Sequence, residues 1–149
     1  MLNYIEQKHV EICSTNESKE KQRQYLPNHA VKKTQTENKW QIVFDASSHD
    51  PGMPSLNNTL EAGQNLLPEI VGCLLKFQMH GFAVTCDGKQ AFLQFILHEK
   101  DGDFTRFLRY KLEFDSYDTP YLTDEITVYR FTRLPFGLIC SPFVLCAST

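Results

Sequence analysis

Apolar and polar positions fall in blocks along this chain, and each block predicts an element. Residues 2–13 fit a short amphipathic helix, and the polar run "STNESKEKQRQ" after it has little to bury and reads as a connector. "YLPNHAVKK" and "KWQIVFDAS" are extended runs on either side of the polar tip "TQTEN", the pattern of a β-hairpin. "SHDPGMPS" is a turn-rich loop by its Pro and Gly content. The clearest helix is "NLLPEIVGCLLKFQMHG", where Leu67, Ile70, Val71, Leu74 and Phe77 recur at helical spacing. Pro68 and Glu69 suit its first turn, and His80 and Gly81 its end.

A strand is expected at 82–87, with Phe82, Val84 and Cys86 on one face and Ala83, Thr85 and Asp87 on the other. Two more strands are expected in "TRFLRYKLE" and "EITVYRFTR", separated by the polar "FDSYDTPYLTD". "LPFGLICSPFVLCAST" predicts a Pro/Gly turn and then a helix, with Ser141 as cap and Pro142 in the first turn. The predicted class is α/β with hairpins, of the α+β kind, without internal repeats. The last helix starts a few residues before Thr149, which leads us to expect a fragment of a larger domain.

Composition narrows the picture. The 149 residues suffice for one domain with a core, and 42% hydrophobic with 22% charged residues is ordinary for a globular chain. The formal net charge is -3. Proteins that grip nucleic acid mainly by charge are strongly basic, so any such contact here is local. The five cysteines, Cys13, Cys73, Cys86, Cys140 and Cys146, form no C-x-x-C pair or zinc array and read as buried thiols in a reducing, cytoplasmic compartment. The sequence shows no signal-peptide core and no membrane-length apolar run. The formal glycosylation sequons at Asn16 and Asn57 carry no meaning without secretion.

The candidate chemistry begins with Asp87 at the end of a predicted strand and Phe92 five residues later. By themselves these residues read as a solvated strand-end cap and a core aromatic, the commoner fates of both types. The alternative is a carboxylate that holds a metal beside an aromatic that shapes a pocket.

Four segments in order, "YLPNHAVKK", "KWQIVFDASS", the long stretch from "PSLNNTLEAG" through "FAVTCDGKQAFLQF" to "ILHEKDGD", and "VYRFTRLPFGLICSPFVL", resemble reverse transcriptases of long-terminal-repeat retrotransposons, especially the Bel/Pao group. The resemblance covers the chain from about residue 25 to its end. It implies a partial right-hand polymerase fold: residues 1–24 an N-terminal helix and connector, fingers over 25–80, an incomplete palm over 81–149, and no thumb. The implied activity is RNA-directed DNA synthesis on an RNA or DNA template-primer with deoxynucleoside triphosphates and Mg²⁺. Asp87 matches the first metal ligand, with the Gly88 backbone carbonyl beside it. Phe92, next to Ala91, matches the ring that excludes a 2′-hydroxyl from the sugar site, the group that separates RNA from DNA building blocks. Pro135, Phe136 and Gly137 match the wall of the nucleotide pocket. Lys32 and Lys33, with Lys39, lie on the hairpin that reaches the triphosphate, and Arg106, Arg109, Arg130 and Arg133 are candidates for template or primer phosphates. Asp45 matches an aspartate expected to order the fingers.

The match also breaks. Gln41 stands where the family has an arginine on the triphosphate, Gly88-Lys89-Gln90 replaces an Ile-Glu-Lys-like triplet, and Arg109 replaces an aromatic. No Asp-Asp pair occurs in the sequence, so the family's Tyr-x-Asp-Asp box is missing. One carboxylate does not hold a pair of Mg²⁺ ions, and the chain alone is expected not to polymerise. A non-catalytic retroelement relic and a domesticated nucleic-acid-binding module stay open as alternatives. No specific protein partner is expected.

Overall fold

The computed structural model describes residues 2–13, 23–32 and 40–148. Within them the protein is a mixed α plus β structure built on antiparallel sheets. Helix α1 (Leu2–Glu6) leads into strand β1 (Val10–Ile12). Strands β2 (Asn28–Lys32) and β3 (Trp40–Phe44) form a two-stranded antiparallel sheet, from Asn28 opposite Phe44 to Lys32 opposite Trp40. Helices α2 (Leu56–Thr59) and α3 (Ile70–Gln78) follow. Strands β4 (Arg106–Phe114) and β5 (Pro120–Phe131) form a long antiparallel hairpin, and helix α4 (Ser141–Ala147) comes last. The larger sheet has the order β1-β5-β4. The tip 34–38 of the first hairpin, with Lys33 and Lys39, lies outside the described residues.

Alternation explains the second hairpin. Phe107, Tyr129 and Phe131 turn to one face and are buried, while Leu108, Tyr110 and Ile126 turn to the other and are exposed. On the buried face Phe107 stacks on Tyr129 with centroids 5.6 Å apart, and Phe44 of the first hairpin meets the Phe107 and Phe131 rings edge-on at 4.9 and 4.8 Å. Val10 and Leu93 complete this cluster. A second cluster, Leu26, Ala46, Leu56, Leu134 and Leu138, lies beside it. Phe44 and Leu97 pack against both.

Several elements differ from expectation. The helix expected over 2–13 stops at Glu6, because Val10–Ile12 pairs with Tyr129–Phe131 at the edge of the larger sheet. The strand expected at 82–87 does not form: residues 82–88 are irregular, with Phe82 96% and Val84 91% exposed. A strand needs a neighbour to take its backbone hydrogen bonds, and no strand lies beside this segment among the described residues. Helix α3 forms where the periodicity places it, but begins two residues late, with Glu69 as N-cap, and none of its residues is buried. Cys73 and Cys86 are exposed rather than buried; Cys13 is buried. No described helix is long and apolar enough to cross a membrane.

Candidate functional site: an aromatic cleft between the hairpins

The cleft is set by how one short turn is anchored. Gln90 has φ 54°, and this left-handed residue turns the chain into a 3-10 helical turn over Ala91–Gln94. Leu93 points from the turn into the first core cluster. Beyond the turn, Leu134 N donates to Phe95 O at 3.0 Å and Leu97 N donates to Thr132 O at 3.0 Å. These two bonds join the Phe92 turn to the Pro135 loop across some forty residues of sequence.

The Pro135 loop is held just as firmly. Gly137 has φ +105°, and a Cβ there would lie 3.0 Å from Phe44 O, so only glycine lets the loop lie against the end of β3. Asn57 clamps the same turn: its Nδ2 donates to Gly137 O at 3.0 Å and its Oδ1 accepts from Ile139 N at 2.9 Å. Ser141 does not cap α4. Cys140 holds the N-cap position without a side-chain bond, and the buried Ser141 hydroxyl donates to Pro135 O at 2.9 Å. The reason is geometric: Ser141 already lies inside the helix, where its hydroxyl reaches back to the loop carbonyl. Pro142 occupies the first turn, where its missing N–H costs nothing.

Between these supports lies a cleft of about 160 Å³ lined by Gln41 and Phe44 of β3, Ala91 and Phe92 of the turn, and Pro135 and Phe136 of the loop. The Phe92 and Phe136 rings are 5.6 Å apart and tilted by 59°. Phe136 is 71% exposed at the rim, whereas Pro135 is fully buried. Phe92 also packs on the second core cluster, so its ring is held from behind. Cavities of roughly 150 Å³ take one six-membered ring. The cleft therefore has room for one ring, with apolar walls at Phe92 and Pro135 for its face and the Gln41 and Gln90 amides beside it for polar atoms.

The structure thus brings together Ala91, Phe92, Pro135 and Phe136, with Gly137 supporting them from the second layer. It does not bring Asp87, Gly88 or Lys32 to the cleft lining; all three are exposed, and Lys33 lies outside the described residues. Among the described residues no three His, Cys, Asp or Glu side chains gather as a metal site. A pair of Mg²⁺ ions needs several oxygen ligands, so Asp87 and the Gly88 carbonyl do not by themselves fit that group.

Of the four candidate arginines, two are committed elsewhere. Buried Arg106 donates to Asp103 Oδ1 at 2.7 Å, and Arg130 pairs with Asp103 at 3.0 Å and Glu11 at 2.6 Å. Burial alone would raise the Asp103 pKa, but the hydrogen bonds and charges of Arg106 and Arg130 outweigh it and hold the carboxyl below its usual range. This network ties β1 to the main hairpin and engages both guanidinium groups with carboxylates. Arg109 and Arg133 line other cavities. Asp45 orders its own loop, accepting from Ser47 N at 2.9 Å and Ser48 N at 3.1 Å.

The sequence marks Asn57 only by its sequon and not as a clamp; it lies just inside a capping box, where Ser55 and Asn58 bond reciprocally. The Ser-x-x-Asn spacing was the available signal. No protein-family model matches the chain, and no curated protein matches it.

Proposed function

We propose that residues 25–149 are the fingers and an incomplete palm of a Bel/Pao-type reverse transcriptase, and that the aromatic cleft receives the sugar of an incoming deoxynucleotide. The observation that carries this reading is the meeting of Ala91 and Phe92 with Pro135 and Phe136, beside β3, in a cleft of ring size. Phe92 is supported from behind by core residues, as a ring that excludes a 2′-hydroxyl has to be. Asp87 contributes one ligand, and the remaining carboxylates belong to a Tyr-x-Asp-Asp hairpin that this sequence does not contain.

The test is to read the transcript and genomic locus past the codon for Thr149 and express the complete frame. The expected protein contains the box and extends a primer on RNA with deoxynucleotides, loses this with Asp87→Asn, and accepts ribonucleotides with Phe92→Val. A locus with no box that can be joined, or extension that survives Asp87→Asn, overturns the reading. The exposed, unsupported setting of Asp87 favours a second reading, a non-catalytic relic or nucleic-acid-binding module. Salt-sensitive strand binding without primer extension is its signature.

A further inference from the structure

A second cavity, of about 510 Å³, adjoins the aromatic cleft and shares Gln90 and Leu93 with it. Its polar lining is Gln7, His9, Lys89, Gln90, Gln94 and Arg133: two fixed cations and no carboxylate, in a chain whose net charge is -3. Among the described residues, the side chains of Lys89 and Arg133 meet no carboxylate. The glutamine amides add N–H donors, of which Gln94 Nε2 makes only a long 3.5 Å bond to Lys89 O.

His9 supplies an independent observation. It is 7% exposed, and its buried Nδ1 has no hydrogen-bond partner among the described residues. Burial first, and the charge of Arg133 second, push its pKa down, so the ring stays neutral and keeps one N–H to donate. Lys8 and Gln90, on the two segments that meet here, both have φ 54°. Backbone held in this region by non-glycine residues gathers at binding sites.

We propose that this pocket binds a phosphate group, with Lys89 and Arg133 as its ionic partners and the glutamine amides as donors to the remaining oxygens. A phosphodiester of a nucleic-acid strand and a free phosphate compound share negatively charged non-bridging oxygens, two on the former and three or more on the latter. For Arg133 the inference takes up a phosphate role that the resemblance implies, but it needs neither Asp87 nor the Phe92–Phe136 ring pair, and of the aromatic cleft's lining it uses only Gln90 as a donor.

The experiment titrates the 149-residue chain with inorganic phosphate by calorimetry, and with a labelled single-stranded oligodeoxythymidylate by anisotropy. Wild type is compared with Lys89→Gln, Arg133→Gln and the exposed control Lys100→Gln, at matched circular-dichroism spectra. Losing one charge-assisted partner is expected to weaken binding about tenfold or more, with the control unchanged. If the ligand is a strand, each pocket variant also lowers the salt slope by about 0.7, and phosphate competes with the oligonucleotide. Phosphate binding that the oligonucleotide does not contest upholds the site and assigns it to a free phosphate compound. Absence of binding by either probe, or equal affinities in the pocket variants and wild type, overturns the proposal.

Discussion

The main hairpin and the stretch from residue 61 to 89 are both rich in large apolar side chains, yet they end in opposite conditions. At the core end of β4 and β5 the inward residues find partners: Phe107, Tyr129 and Phe131 are each at most 2% exposed. In the other stretch Leu67, Ile70, Val71, Leu74 and Leu75 all remain more than half exposed. Local pattern is equally clear in both regions. What separates them is a neighbour: β5 has β4 on one side and β1 on the other, whereas among the described residues no strand flanks 82–87 and no core receives α3. Periodicity specifies a helix, but most helix stability comes from packing its apolar face. The exposed face of α3 is a surface of the kind that marks association or aggregation.

The contrast can be tested from its strongest point. Asp103→Ala removes the buried carboxylate that Arg106 and Arg130 share and is expected to cost about 3–5 kcal/mol in urea unfolding. Phe107→Ala should cost a similar ~3–5 kcal/mol. The same network gives an acid signature. Because the folded pKa of Asp103 lies below its unfolded value, its contribution is fully present above about pH 4 and is lost as pH falls through the folded value. A pH series of urea midpoints should show that decline in wild type and lack it in Asp103→Ala.

Next comes the loop support. Gly137→Ala forces a Cβ against Phe44 O in a conformation that L residues avoid, at about 1–3 kcal/mol. Asn57→Ala removes both clamp bonds and should cost about 1–2 kcal/mol, with loss of order at Pro135 and Phe136 seen by nuclear magnetic resonance. At the bottom of the scale, Leu74→Ala in α3 should change stability by less than about 0.5 kcal/mol. Amides of 70–78 should exchange far faster than those of β5. A cost of several kcal/mol at Leu74, or protected amides in α3, would show that the segment is packed in solution and break the comparison.

Two extended runs around a polar tip made the first hairpin readable, and the strands of the second were readable in part: the polar "FDSYDTPYLTD" reads as a separator, yet β4 runs to Phe114 and β5 already begins at Pro120. Alternation could not reveal β1: "VEI" is three residues long and exists as a strand only because Tyr129–Phe131 offers an edge 119 residues away in sequence at Glu11 and Arg130. It overstated 82–87 for the converse reason. Of the candidate site, residue type alone marks Gly137 as a close approach of backbone and Phe92 as a core aromatic; that Phe92, Pro135 and Phe136 share one cleft is implied only by the resemblance. The site was illegible where function depends on what comes near. Nothing in the sequence around Arg106 or Arg130 says that Asp103 claims both, although the Asp-x-x-Arg spacing of 103 and 106 was available as a hint.

Phe44 belongs to neither core cluster alone. Its ring faces Phe107 and Phe131 on one side and packs with the second cluster on the other, while its carbonyl lies against Gly137. A wall common to two compartments makes their melting a single event: removing the aromatic from one side opens a void on both. Thermal unfolding of this half of the protein should therefore give one transition rather than two. Truncation of Phe44 should lower that midpoint and reshape the aromatic cleft in the same stroke.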